Sequence, residues 1–177
     1  MNPRSLMVSL AICCLGCKAA AQGASPVADA LRTTAKRAGT NLLAAADEMP
    51  AGKYGFKPTP AQMSFGDVLV HLSGGNDFLC STIAGTTAPK RSDIKVEAGK
   101  EKLVSRLREA FQFCESALAR LDDSKLTRKV PWFGDHQVTQ AYAMLAAAED
   151  WADHYSQLAI YLRLNGLLPP TAKQKEE

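Results

Sequence analysis

The chain has 177 residues, 46% of them hydrophobic, with a formal net charge of +3 and 22% charged residues. That length and apolar content suit one domain with a real core and exclude a disordered chain. The charges are dispersed, and no basic stripe interleaved with aromatics is visible, so nucleic acid is excluded as a partner class.

Chain order begins with a segment that reads as an export signal rather than as part of a fold. Arg4 gives a positive start, Leu6 to Gly16 is an apolar run too short for a membrane span, and Ala19-Ala20-Ala21 offers a small-residue cleavage site before Gln22. Residues 1–21 are therefore expected to be a secretory signal peptide. The protein is then periplasmic or extracellular, with no membrane span in the mature chain. A lipoprotein anchored at Cys17 is the minority alternative, because Gly16 fits such a motif and Cys14-Leu15 fit it poorly. Cleavage removes Cys13, Cys14 and Cys17 and leaves Cys80 and Cys114. An oxidising compartment permits one disulfide between these two. Each also sits at an apolar helical position, and two buried thiols are the favoured reading.

Four helical patterns follow. Ser25 and Pro26 open the first, Val27, Leu31, Ala38, Leu42 and Ala45 mark its apolar face, and Met49-Pro50-Ala51-Gly52 stops it. Tyr54 to Pro60 is an extended connector whose two aromatics are expected to pack over one end of the fold. Ser64 with Asp67 resembles a capping box and opens the second helix. Phe65, Val68, Leu72, Phe78, Leu79 and Ile83 give that helix an apolar side, while Gly74-Gly75 suggests a bend or a close helix contact.

Residues 84–97 form a connection long enough to cross a bundle rather than reverse direction. The third helix is expected over about Gly99 to Leu121, on the period of Leu103, Leu107, Phe111, Cys114 and Leu118. Val130 to His136 reads as a loop or a very short hairpin. The fourth helix begins near Val138 and reaches Leu164, where Asn165-Gly166 and Pro169-Pro170 end it. Each helix carries one apolar stripe, so the fold class is all-α, a four-helix bundle over residues 26–170, with residues 171–177 as a solvated tail.

The chain has three histidines. Asp150 and His154 are four apart and project from one face of the last helix, a spacing that lets two side chains hold one ion. His71, on the second helix, is a candidate third ligand. Gln157, one turn beyond His154, is a candidate to orient a ligand or bound water. His136 reads as an exposed loop histidine in preference to an acid or base above the site. Trp151, Tyr155 and Tyr161 read as packing residues. Arg163 is expected on a carboxylate or a helix-end carbonyl. Ser73, Ser81 and Ser156 lack a nucleophile elbow, so serine hydrolase chemistry is not supported.

Phe65 to His71, then Phe78-Leu79-Cys80, then His154-Tyr155-Ser156-Gln157 with Tyr161 to Gly166 and Pro169-Pro170 resemble the DinB-like superfamily over about Ala28 to Pro170. The resemblance implies a four-helix bundle with a crossover between helices two and three. It also implies a divalent metal held by three histidines, one on helix two and a pair four apart on the last helix. His71 matches the first and His154 the second of the pair, while Asp150 stands where the other histidine is expected. Two histidines and a carboxylate suit zinc, nickel or iron. Activities implied by the resemblance are thiol transfer, thiol-dependent isomerisation and hydrolysis. The small-thiol cosubstrate is cytosolic, so export favours a metal-dependent hydrolase acting on an unknown small molecule. The alternative is a non-catalytic, stress-associated bundle that holds metal or ligand. A homodimer is compatible with either.

Overall fold

The computed structural model describes residues 25–173, so the expected signal peptide and residues 174–177 lie outside the described part. Four long helices dominate it: α1 (Pro26–Glu48), α2 (Phe65–Ala84), α3 (Lys100–Leu118) and α4 (Gln140–Leu164). A two-stranded antiparallel ribbon, β1 (Lys129–Pro131) and β2 (Gln137–Thr139), precedes α4, so the short-hairpin alternative is the one adopted.

Local chemistry sets the helix ends. Ser64 caps α2: its hydroxyl accepts from the Asp67 N–H at 3.1 Å, while the Asp67 carboxylate accepts the Ser64 N–H at 3.1 Å. Gly85 closes α2 in the left-handed conformation at φ 70°, where a side chain would be strained. At α1, the first-turn N–H groups of Val27 and Ala28 donate to the Asp123 carboxylate at 3.0 and 2.8 Å. A carboxylate at that position also favours the helix dipole. Ser25 stands at the N-cap position without a side-chain cap hydrogen bond, so the cap of α1 is supplied by a carboxylate 95 residues away.

The helices run up, down, down, up. Lys100 at the start of α3 donates to the Met49 carbonyl at the end of α1, and Arg32 near the start of α1 donates to the Leu118 carbonyl at the end of α3, so α1 and α3 are antiparallel. Cys80 on α2 is joined to Cys114 on α3, while Val96, just before α3, packs on Gly66 at the start of α2. Both ends therefore align in the same sense, and α2 and α3 are parallel. Residues 85–99 must run back along the bundle, which is the expected crossover. A Cβ on Gly66 would lie 2.8 Å from the Val96 side chain, so the crossover can pass this close only over glycine. Arg91 holds it down, donating to Asp77 on α2 at 2.7 Å and to Glu109 on α3 at 2.8 Å.

The apolar stripes meet in one core, with Leu42, Leu69, Leu107, Leu158 and Leu162 fully buried. The connector aromatics close one end, as expected: the Tyr54 hydroxyl donates to the Ala46 carbonyl at 2.8 Å, and Phe56 meets Tyr161 edge-on. Burial pushes the Tyr54 phenol well above its ordinary range, first by desolvation and then by the nearby Asp47 charge. Gly74 and Gly75 break the expectation of a bend or close contact. The helix is continuous through them, and a Cβ on either would meet nothing within 4 Å. Among the described residues no helix is long and apolar enough to cross a membrane.

The cysteines correct the thiol reading. Cys80 and Cys114 form a disulfide, with Cα atoms 5.2 Å apart. The parallel alignment of α2 and α3 produces this proximity, and no local pattern announces it. The bridge closes a loop across 34 positions, and loop-closure entropy alone assigns it about 3–4 kcal/mol. Reduction, or replacement by Cys80→Ala with Cys114→Ala, is expected to lower Tm by roughly 6–15 °C while leaving the helical circular dichroism intact at low temperature. An unchanged Tm would show that the bridge does not constrain the chain.

Candidate metal centre

α2 and α4 are antiparallel, and three cross-ties set their register. Gln140 Nε2 donates to the Ile83 carbonyl at 2.7 Å, Trp151 Nε1 to Asn76 Oδ1 at 2.7 Å, and the Tyr161 hydroxyl to the Met63 carbonyl at 2.9 Å. Continuing that ladder puts His71 opposite Asp150 and His154. One donor atom from each of the three residues lies within 4.8 Å of the others.

The trio is arranged around the carboxylate. Asp150 Oδ1 is 4.0 Å from His71 Nε2 and 3.4 Å from His154 Nδ1, and the two imidazoles stack with centroids 4.8 Å apart. His154 Nδ1 lies 2.8 Å from the Asp150 main-chain carbonyl. A carbonyl only accepts, so in this arrangement the proton sits on Nδ1 and Nε2 carries the free lone pair. The site opens on one side: the side chains of His71, Asp150 and His154 are 52%, 24% and 10% exposed.

Asp150 Oδ2 is buried and has no hydrogen-bond partner. A carboxylate oxygen in that state is costly unless a cation meets it. Desolvation accordingly pushes the Asp150 carboxyl above its ordinary range, with His154 and His71 pulling it down and Asp153 raising it further. The donor set, with two neutral nitrogens and one carboxylate, fits a divalent ion.

Of the other residues singled out in the sequence, His136, Trp151, Tyr161 and Arg163 are placed as expected. Gln157 is not joined to the trio by a hydrogen bond. Its amide donates to the Tyr161 hydroxyl at 3.0 Å, and the His154 ring is met by the Asp150 carbonyl. His136 is exposed in the ribbon turn and is no member of the trio. Trp151 and Tyr161 are buried packing residues, each with its polar atom satisfied. Arg163 reaches the Ala159 carbonyl on its own helix at 3.5 Å. Sequence reasoning missed Asn76, although an asparagine on the apolar side of α2 was a signal that a buried polar partner exists. A hollow of about 560 Å³ over Gly39 and Phe111 lies between α1 and α3, and none of the trio lines it.

The family model described as the DinB superfamily matches residues 34–158. The chain belongs to the DinB superfamily. Solved structures agree on the fold of this DinB bundle. A DinB-like protein from Bacillus subtilis aligns with a TM-score of 0.65 at 18% identity, covering 82% of this chain and 99% of its own. One from Bacillus cereus gives 0.68 at 15% identity, covering 80% and 95%. A conserved protein from Enterococcus faecalis gives 0.63 at 17% identity, covering 78% and 96%. Comparison with curated proteins returns no match.

The raised Asp150 pKa has a definite sign for stability. The native state binds this proton more tightly than the unfolded chain. Metal-free protein therefore loses stability as pH rises from the ordinary carboxylate range through the raised value, and the loss is complete above it. Asp150→Asn is expected to raise the Tm of metal-free protein at neutral pH and to leave it little changed well below the carboxylate range. A melt series across pH checks this, and a lower Tm for the variant at neutral pH would show that the carboxylate has a compensating partner.

Proposed function

We propose that this DinB bundle is an exported metalloprotein in which His71, Asp150 and His154 hold one divalent ion and serve hydrolase-type chemistry. The observation that carries the reading is the convergence of two imidazoles on Asp150 Oδ1, while Asp150 Oδ2 is buried without a hydrogen-bond partner. Zinc, nickel and iron all suit the donors. When bound, the ion supplies Lewis acidity for attack on a small-molecule substrate. The chain does the rest. Asp150 neutralises charge, the Asp150 carbonyl fixes the His154 ring, and the exposed His71 leaves an open approach from solvent. A second reading, a non-catalytic bundle that holds metal or ligand, is supported by the engagement of Gln157 with Tyr161 rather than with the trio.

Elemental analysis of untagged protein is expected to find about one divalent ion per chain in the wild type. His71→Ala and His154→Ala should each weaken the measured zinc affinity by at least tenfold. Wild-type zinc affinity that neither variant changes would remove the trio as the metal centre. Metal binding without turnover across ester and amide substrates would select the second reading.

Export is supported by the leader composition of residues 1–21 and by the Cys80–Cys114 bridge, since disulfides persist in oxidising compartments. Mass spectrometry of envelope fractions should find a mature chain starting near Gln22 with the bridge intact. A diacylated Cys17 would select the lipoprotein form, and cytosolic protein with Met1 retained would overturn export.

A further inference from the structure

His71, Gly75 and Phe78 follow one another at three- and four-residue steps on α2, and Asp150, Ala146 and Tyr142 do the same in the opposite direction on α4. The two rows flank a trough that leads from the trio toward the β1–β2 ribbon. Its middle is low: a Cβ on Gly74 or Gly75 would meet nothing within 4 Å, and the facing Ala146 is small. Its far end is walled by aromatics. Phe78 meets Phe133 at 4.5 Å and Trp132 at 6.1 Å, and Trp132 meets Tyr142 at 5.7 Å. The ribbon thus carries Trp132 and Phe133 across from α2 to α4.

Phe78 and Trp132 pack partly against the core, while the outer edge of the wall is exposed. Phe133 and Tyr142 are 59% and 53% exposed, and neighbouring Leu145 is 65% exposed. A contiguous patch of this kind marks a binding surface more than a core. Seven residues of helix separate His71 from Phe78, an axial distance of about 10 Å. The head end of the trough also has a charge preference. Glu149 and Asp153 are exposed on either side of Asp150, and their negative charges disfavour an anionic head there.

With the metal held as proposed above, we infer that the trough binds an uncharged arylalkyl carbonyl compound, an ester or amide in type. Its carbonyl lies at the trio, its chain over Gly75, and its aryl group on Phe133, Trp132 and Tyr142. The aromatic wall, rather than the metal ligands, then sets which substrates are accepted.

The test uses zinc-loaded protein and two probes with the same metal-binding head, acetohydroxamic acid and hexanohydroxamic acid capped with a terminal phenyl group, measured by calorimetry. The phenyl-capped probe should bind at least tenfold more tightly. The Phe133→Ser/Tyr142→Ser variant changes only exposed side chains and should lose that gain while keeping wild-type affinity for zinc and for acetohydroxamic acid. Gly75→Leu, which favours the helix and fills the trough, should lose it too. Equal affinities for the two probes, or a gain that survives in both variants, would overturn the trough while leaving the metal centre standing. Failure of the wild type to bind zinc would overturn the metal reading and the trough with it.

Discussion

One buried hydrogen bond fixes the register on which the site depends. Trp151 Nε1 donates to Asn76 Oδ1 at 2.7 Å, and both residues are essentially inaccessible to solvent. An indole N–H or an amide oxygen left without a partner at that depth costs about 1–3 kcal/mol. Sliding α4 along α2 by one turn would leave both groups unmet and would displace the adjacent Asp150 and His154 from His71 by about 5 Å. The ties at Gln140 and Tyr161 repeat the same register toward either end. Apolar packing alone tolerates such slips better, because leucine stripes repeat along the helix.

The second organising constraint is the parallel pair α2 and α3. Parallel neighbours cannot be joined by a tight turn, so a crossover as long as the bundle is obligatory, and it must be held against both helices. Val96 on Gly66 seats one end, Arg91 between Asp77 and Glu109 clamps the middle, and the Cys80–Cys114 bridge locks the helices themselves. None of these devices touches the trio, yet each holds α2 in place and so fixes the position of His71. The bridge is a covalent tie that outlasts transient opening of the helix pair.

At the centre itself, electrostatics and hydrogen bonding divide the work among three unlike residues. His154 is nearly buried and held by a main-chain carbonyl, His71 is half exposed and free to meet a ligand from solvent, and Asp150 lies between them with one oxygen desolvated. A third histidine would bring no charge to this position. Aspartate brings a negative charge that an empty site must tolerate and a cation can offset. A divalent ion bound there would offset part of the cost of keeping Asp150 buried.

The sequence by itself determined the helices, because a 3.6-residue apolar period and local caps are written in neighbouring residues. α1 and α2 run as Pro26 and Ser64 announce, while α3 and α4 are each two or three residues shorter at an end than the periodicity suggests. It also determined the candidate trio, since Asp150 and His154 share a face by spacing and the order of motifs resembles the DinB-like superfamily. Tertiary structure alone decided what depends on contacts between distant residues. Whether Cys80 and Cys114 bridge depended on the parallel setting of α2 and α3. Whether Gly74-Gly75 served a close helix contact depended on what stood opposite them, and a Cβ there would meet nothing within 4 Å. The partner of Gln157 was the Tyr161 hydroxyl, and the partner of Asn76 was a tryptophan 75 residues away. Spacing along a helix is local geometry and can be read from a string. Register between helices is set by side chains far apart in the chain, and it appears only when they are brought together.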